Sequence, residues 1–166
     1  MMRFAGLATV FALTACSLPL SEENAGVERR RERAQRHGRL ALAYLAHERP
    51  GIARQEAAMA LMLAPGDPQA LHAAALAELA LGRLSAALPY LAAAATAVMA
   101  MAGWRDDAQA GTILANYAAA LCTADRPAEA RRWQARAAEA GRAVNAAQQT
   151  PARDVCQVDP GASMRD

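Results

Sequence analysis

Lysine is absent from this chain, and all 18 of its basic residues are arginine, a usage that reads as GC-rich coding bias. Aromatic residues make up 4% of the sequence and β-branched residues are sparse. With a formal net charge of +2 and few rings on which bases could stack, the chain lacks the broad positive surface of a general nucleic-acid binder. No Gly-rich phosphate loop, His-Glu-x-x-His helix or serine-nucleophile motif occurs. His37, His47 and His72 fall on different segments or faces, Glu22-Glu23 has no positioned partner, and Cys122 and Cys156 lack a second pair or a histidine cluster. These absences predict a protein that is not an enzyme, with no cofactor, no metal and no small-molecule substrate.

What is present is alanine. Of the 166 residues 54% are apolar, most of them alanine, the best helix former and a poor strand former. The expected fold is all-α, with helices near 25–47, 51–63, 68–81, 85–102, 107–123 and 127–146. The tail beyond is expected to be irregular. Trp133 reads as core and Trp104 as packing on the middle of the chain, with exposed contact as its other reading.

At the amino end, Arg3 precedes an apolar run from Phe4 to Leu13. The run is short of the roughly 20 residues needed to span a bilayer, but suits a signal-peptide core. It closes on Leu13-Thr14-Ala15-Cys16, which resembles the lipobox of bacterial lipoproteins. That resemblance implies cleavage after residue 15, lipidation of Cys16 and attachment to a membrane, since two or more acyl chains hold firmly where one holds marginally. Ser17, where Asp favours inner-membrane retention in that family, implies the outer membrane and a periplasm-facing chain. Residues 16–26 read as a linker. Arg29, Arg30, Arg31, Arg33 and Arg36 read as a solvated helical face, or as a contact with anionic head groups.

The body, residues 27–148, repeats. Ala41, Ala53 and Ala60 are followed 34 residues later by Ala75, Ala87 and Ala94, and after a further 43 by Ala118, Ala130 and Ala137. Short side chains at fixed intervals let helices approach to about 8–10 Å. Punctuation agrees: Asp67-Pro68 suits a helix start, Gly82 a left-handed helix end, and Asp125-Arg126-Pro127 a start like that at Asp67. The pattern resembles the tetratricopeptide repeat, which implies a solenoid of about three helix pairs. Two departures stand out. About nine extra residues lie around Met99 to Asp107, and Glu48-Arg49-Pro50-Gly51 replaces a turn that carries Gly earlier.

An even cysteine pair in an exported chain suggests a Cys122–Cys156 disulfide, with two free thiols as the other reading. The segment Asn116-Tyr117-Ala118-Ala119-Ala120-Leu121-Cys122, then Arg126-Pro127-Ala128-Glu129-Ala130, resembles the motif of type IV pilus pilotin and biogenesis lipoproteins, with Ala118 and Ala120 in place of that family's Gly and Phe. The resemblance implies a protein partner, a secretin subunit, which the lipoprotein escorts to the outer membrane. A tight-adherence pilus lipoprotein and a general envelope-structural repeat lipoprotein are the alternatives. In tetratricopeptide repeats the first helix of each pair lines a groove. That places Gln35, Leu42 and Leu45, then Gln69, His72, Leu76 and Leu79, then Thr112, Ala115 and Ala119, on a face suited to an extended or amphipathic polypeptide. Leu76 and Leu79 have two candidate occupants, a partner segment and the chain's own tail, residues 147–166, the last part of which (149–166) follows the repeats.

Overall fold

A computed structural model describes residues 20–140 and Cys156, with the backbone alone for 20–23. The expected signal peptide (1–15), Cys16 and the rest of the tail lie outside the described residues. Six helices follow in order: α1 (Leu20–Ala46), α2 (Pro50–Leu63), α3 (Pro68–Ala80), α4 (Leu84–Met99), α5 (Ala108–Thr123) and α6 (Pro127–Glu139). There is no strand among the described residues, and the helices pack against one another, each on its neighbour in sequence and α1 also on α3.

Three hairpins are closed by one and the same turn. Glu48, Gly82 and Asp125 take left-handed φ values of 55°, 71° and 58°. Each is followed by an arginine, Arg49, Arg83 or Arg126, whose amide donates to the carbonyl five residues back at 2.9 Å. The left-handed residue itself donates to the carbonyl three back, of Leu45, Leu79 and Cys122 respectively. These bonds satisfy carbonyls that a helix end otherwise leaves orphaned. Gly82 meets the expectation for a left-handed cap. Glu48 holds the same geometry without glycine, so the departure seen in the sequence of this turn leaves its shape unchanged. Asp125 does not cap α6 as expected: it occupies the left-handed position and Arg126 precedes the helix without a side-chain cap. The reason is spacing. Asp67 immediately precedes Pro68 and accepts from the Gln69 and Ala70 amides at 3.0 and 2.9 Å, whereas one residue separates Asp125 from its proline.

The alanines do what short side chains permit. Ala41, Ala53, Ala60, Ala75, Ala87, Ala94, Ala118 and Ala130 are all fully buried, and Ala137 is half-buried. Large buried side chains are concentrated in the second half: Leu91 and Val98 on α4, and Ile113, Leu114 and Leu121 on α5. The first half is knit by Ala41, Ala53, Ala57, Ala73, Ala74 and Ala77, with Leu42, Tyr44, Leu45 and Leu61 packed around them.

Three boundaries differ from expectation. α1 starts at Leu20, inside the segment assigned as linker. Glutamate and arginine are good helix formers, and both recur along this stretch of the sequence. α4 stops at Met99, because Gly103 turns left-handed (φ 75°) and opens a short 3₁₀ turn, Trp104–Asp106, within the inserted residues. Asp107 then caps α5 by accepting from the Gln109 amide at 2.8 Å. α6 ends at Glu139, and residues 141–146 lie outside the described residues.

Trp104 is buried against α4 and α5 rather than exposed, with the Arg105 guanidinium 4.5 Å above its ring. Trp133 is half-buried, 5.1 Å from Tyr117 between ring centres. The disulfide between Cys122 and Cys156 is present, with Cα atoms 5.4 Å apart, and it brings Cys156 back onto α5.

Candidate polypeptide-binding groove

Helices α3 and α5 belong to successive hairpins, and two side-chain bonds tie them between residues 40 and 44 apart in sequence. Gln69 Nε2 donates to Gln109 Oε1 at 2.6 Å. Asn116 Nδ2 lies 2.8 Å from His72 Nε2. An amide nitrogen can only donate, so Nε2 accepts and the imidazole is neutral, its proton on Nδ1. His72 is buried, and burial pushes its pKa from 6.5 down to about 4, which agrees with that geometry.

Beyond His72 the two helices leave a gap. Leu76 and Leu79 on α3 face Ala119, Ala120 and Thr123 on α5, and the small side chains on the α5 side leave space that larger ones would fill. The result is an open, largely apolar groove of about 340 Å³, lined also by Gly82 of the α3–α4 turn, Leu84 at the start of α4, and Asn116. Its polar groups are few. Asn116 is engaged by His72, and the Thr123 hydroxyl is turned back to donate to the Ala119 carbonyl at 3.1 Å. The surface the groove offers is therefore mainly apolar.

The structure does not bring the residues of the sequence-derived face together in one site. Leu76, Leu79 and Ala119 meet in this groove. Gln35 and Gln69 line a separate cleft of about 560 Å³, where α1 overhangs the α2–α3 turn. That cleft has Arg30, Arg31 and Asp67 among its walls beside Val27, Leu63 and Met101, and is the more polar of the two sites. Leu42 and Leu45 are half-buried against the alanine cluster, Ala115 is half-buried, and Thr112 is exposed with its hydroxyl donating to the Ala108 carbonyl. His72 shares the helix face of Leu76 but lies beneath α5, so it supports the groove instead of lining it.

Leu84, Asn116, Ala120 and Thr123 complete the groove and escaped the sequence reading. Leu84 carried the only signal, as an apolar residue directly after a turn. A third cleft, about 330 Å³, lies between α4 and α6, where Trp133, Arg132 and Arg136 meet Thr96 and Met99.

Elsewhere, His37 Nδ1 and Glu56 Oε2 are 2.7 Å apart, joining α1 to α2. Glu78 is buried where the other hairpins place Tyr44 and Leu121, and its Oε2 lies 3.6 Å from the Arg83 guanidinium. Among the described residues no three of His, Cys, Asp and Glu come together as a metal site would require, and no helix is long and apolar enough to cross a membrane. Comparison of the chain with protein-family models, curated proteins and solved structures finds no match.

Proposed function

We propose that this chain is a lipid-anchored, periplasm-facing scaffold of three tetratricopeptide-like helix pairs that binds another polypeptide and catalyses no reaction. The observation that carries the reading is the open apolar groove in which Leu76 and Leu79 face Ala119 across two successive hairpins. Half-exposed leucines lining a concavity lose contact with water only when something else lies over them, and an extended or amphipathic segment supplies that cover. Repetition of one turn at Glu48, Gly82 and Asp125, with alanines at matching depths, supports the solenoid part.

The lipobox-like Leu13-Thr14-Ala15-Cys16 supports attachment to the outer membrane through Cys16, and the disulfide suits an oxidising compartment. The pilotin-like segment 116–130 supports a pilus secretin subunit as the partner. In this reading the chain holds the secretin subunit while the anchor brings it to the membrane where the channel assembles.

The test is affinity capture of the lipidated full chain from membranes of pilus-forming cells, with partners identified by mass spectrometry. A secretin subunit is expected with the native chain, and its recovery should fall at least tenfold with Leu76→Asp plus Leu79→Asp in a protein that keeps its helical content. Equal recovery from both proteins would refute the groove. Consistent absence of a secretin would refute the partner. Cys16→Ser should release the chain from the membrane fraction, and unchanged retention would refute the anchor.

A further inference from the structure

The disulfide delivers a second polypeptide segment to the edge of the groove. Cys122 adjoins Thr123 and lies one turn from Ala119, both of which line it. Cys156, with its Cα 5.4 Å from that of Cys122, is therefore held against the helix that carries Ala119 and Thr123, and the chain continues from it with residue 157. The sequence that follows is Gln157-Val158-Asp159-Pro160-Gly161-Ala162-Ser163-Met164-Arg165-Asp166. Apolar residues alternate with polar residues or glycine: Val158, Pro160, Ala162 and Met164 are separated by Asp159, Gly161 and Ser163. A period of two places one kind of side chain along one edge of an extended segment, and proline with glycine opposes a helix. From Val158 to Met164 an extended chain covers about 20 Å. The groove extends from Leu76 past Leu79 to the α3–α4 turn, well within that span.

We propose that residues 157–166, tethered by the Cys122–Cys156 bond, are the resident occupant of the Leu76–Leu79 groove and compete there with an incoming polypeptide. The inference rests on the reading that this groove accepts an extended apolar segment, and it names the segment that fills it when no partner is bound. Val158 and Met164 supply the side chains that cover the leucines, while Asp159 and Arg165 face water. A tether this short gives an effective concentration in the millimolar range, so even a weakly complementary segment keeps the site mostly filled. A partner then binds with an affinity reduced by the fraction of time the groove is closed, a factor of about ten at 90% occupancy.

Methyl-resolved NMR on the full chain tests this directly. Nuclear Overhauser contacts are expected between the methyl groups of Val158 and Met164 and those of Leu76 and Leu79. Val158→Asp with Met164→Asp, which leaves both the helices and the disulfide intact, should abolish these contacts and shift the two leucines. A synthetic peptide of residues 157–166, added to that variant at millimolar concentration, should bring the shifts back. Cys122→Ser with Cys156→Ser should weaken the contacts at least tenfold by removing the tether.

Leucine resonances indifferent to Val158→Asp plus Met164→Asp would overturn the proposal, as would contacts that arise only between molecules and grow with concentration. Two outcomes separate this proposal from the functional reading. Secretin capture through Leu76 and Leu79 in a chain without tail contacts overturns the resident tail alone. Tail contacts in a chain that captures no partner, even with Val158→Asp plus Met164→Asp, leave the tail standing and overturn the partner.

Discussion

The His72–Asn116 bond gives stability a pH dependence whose sign and size follow from the structure. The imidazole is buried, accepts the Asn116 amide at 2.8 Å, and has its pKa lowered by desolvation from 6.5 to about 4. Protonation would set an N–H against the amide donor and place a charge in the interior. The unfolded chain binds this proton near pH 6.5 and the folded chain only near pH 4, so between those values the unfolded state holds more protons and stability rises with pH. The contribution of His72 is therefore complete above pH 6.5, declines as pH falls, and is flat again below pH 4. By linkage the loss relative to neutral pH is about 2 kcal/mol at pH 5 and about 3 kcal/mol below pH 4. His72→Gln is the matched control, because a glutamine oxygen can accept from Asn116 without titrating. Urea unfolding of both proteins at pH 7, 6 and 5 gives the difference, in which every titrating group they share cancels. The native chain should lose about 2 kcal/mol more than His72→Gln between pH 7 and pH 5. Parallel curves, or an NMR titration of His72 centred near 6.5, would refute the buried neutral imidazole.

Three further predictions concern the hairpins. Ala87→Leu, at a fully buried crossing on α4, should cost about 1–3 kcal/mol by overpacking, while Ala93→Leu on the exposed side of the same helix should stay within about 0.5 kcal/mol of the native chain in denaturant unfolding. Glu48→Gly should stabilise by up to about 1 kcal/mol, since Glu48 holds a left-handed φ of 55° that glycine adopts without a side-chain clash. A fall in melting temperature would contradict this. Removing the disulfide with Cys122→Ser plus Cys156→Ser opens a loop with a sequence separation of 34 and should cost about 3–4 kcal/mol in the chain-entropy account. Calorimetry showing no loss would mean the bond adds nothing to the fold.

The helices and the turns that join them in pairs were legible because their signals act locally. Alanines at matching intervals, Asp67-Pro68 and Gly82 act within one hairpin, and burial of Ala41, Ala75 and Ala118 follows from their shared place in that hairpin. Glu48 and Asp125 show where local preference falls short: neither is glycine, yet packing of the flanking helices imposes the same left-handed turn on both. Asp125 also misled as a cap, since a one-residue shift before Pro127 moved it from the start of α6 to the end of α5. The groove was legible only in part. Leu76, Leu79 and Ala119 could be placed on first helices by counting, but whether the facing residues touch or part depends on the distance between α3 and α5. The bonds that fix that distance, Gln69 to Gln109 and Asn116 to His72, join residues 40 and 44 apart. No periodicity in the chain marks such pairs. His72 accordingly went from an expected lining residue to a buried support.

Site-specific photo-cross-linking in pilus-forming cells asks whether the α3–α5 groove holds another polypeptide. A photoreactive residue at exposed Ala119 inside the groove is compared with one at exposed Ala58 on α2, away from it. An intermolecular adduct is expected at position 119, identified by mass spectrometry as a secretin subunit, with none at 58. Adducts of equal yield at both positions, or at 58 alone, would contradict binding in the groove.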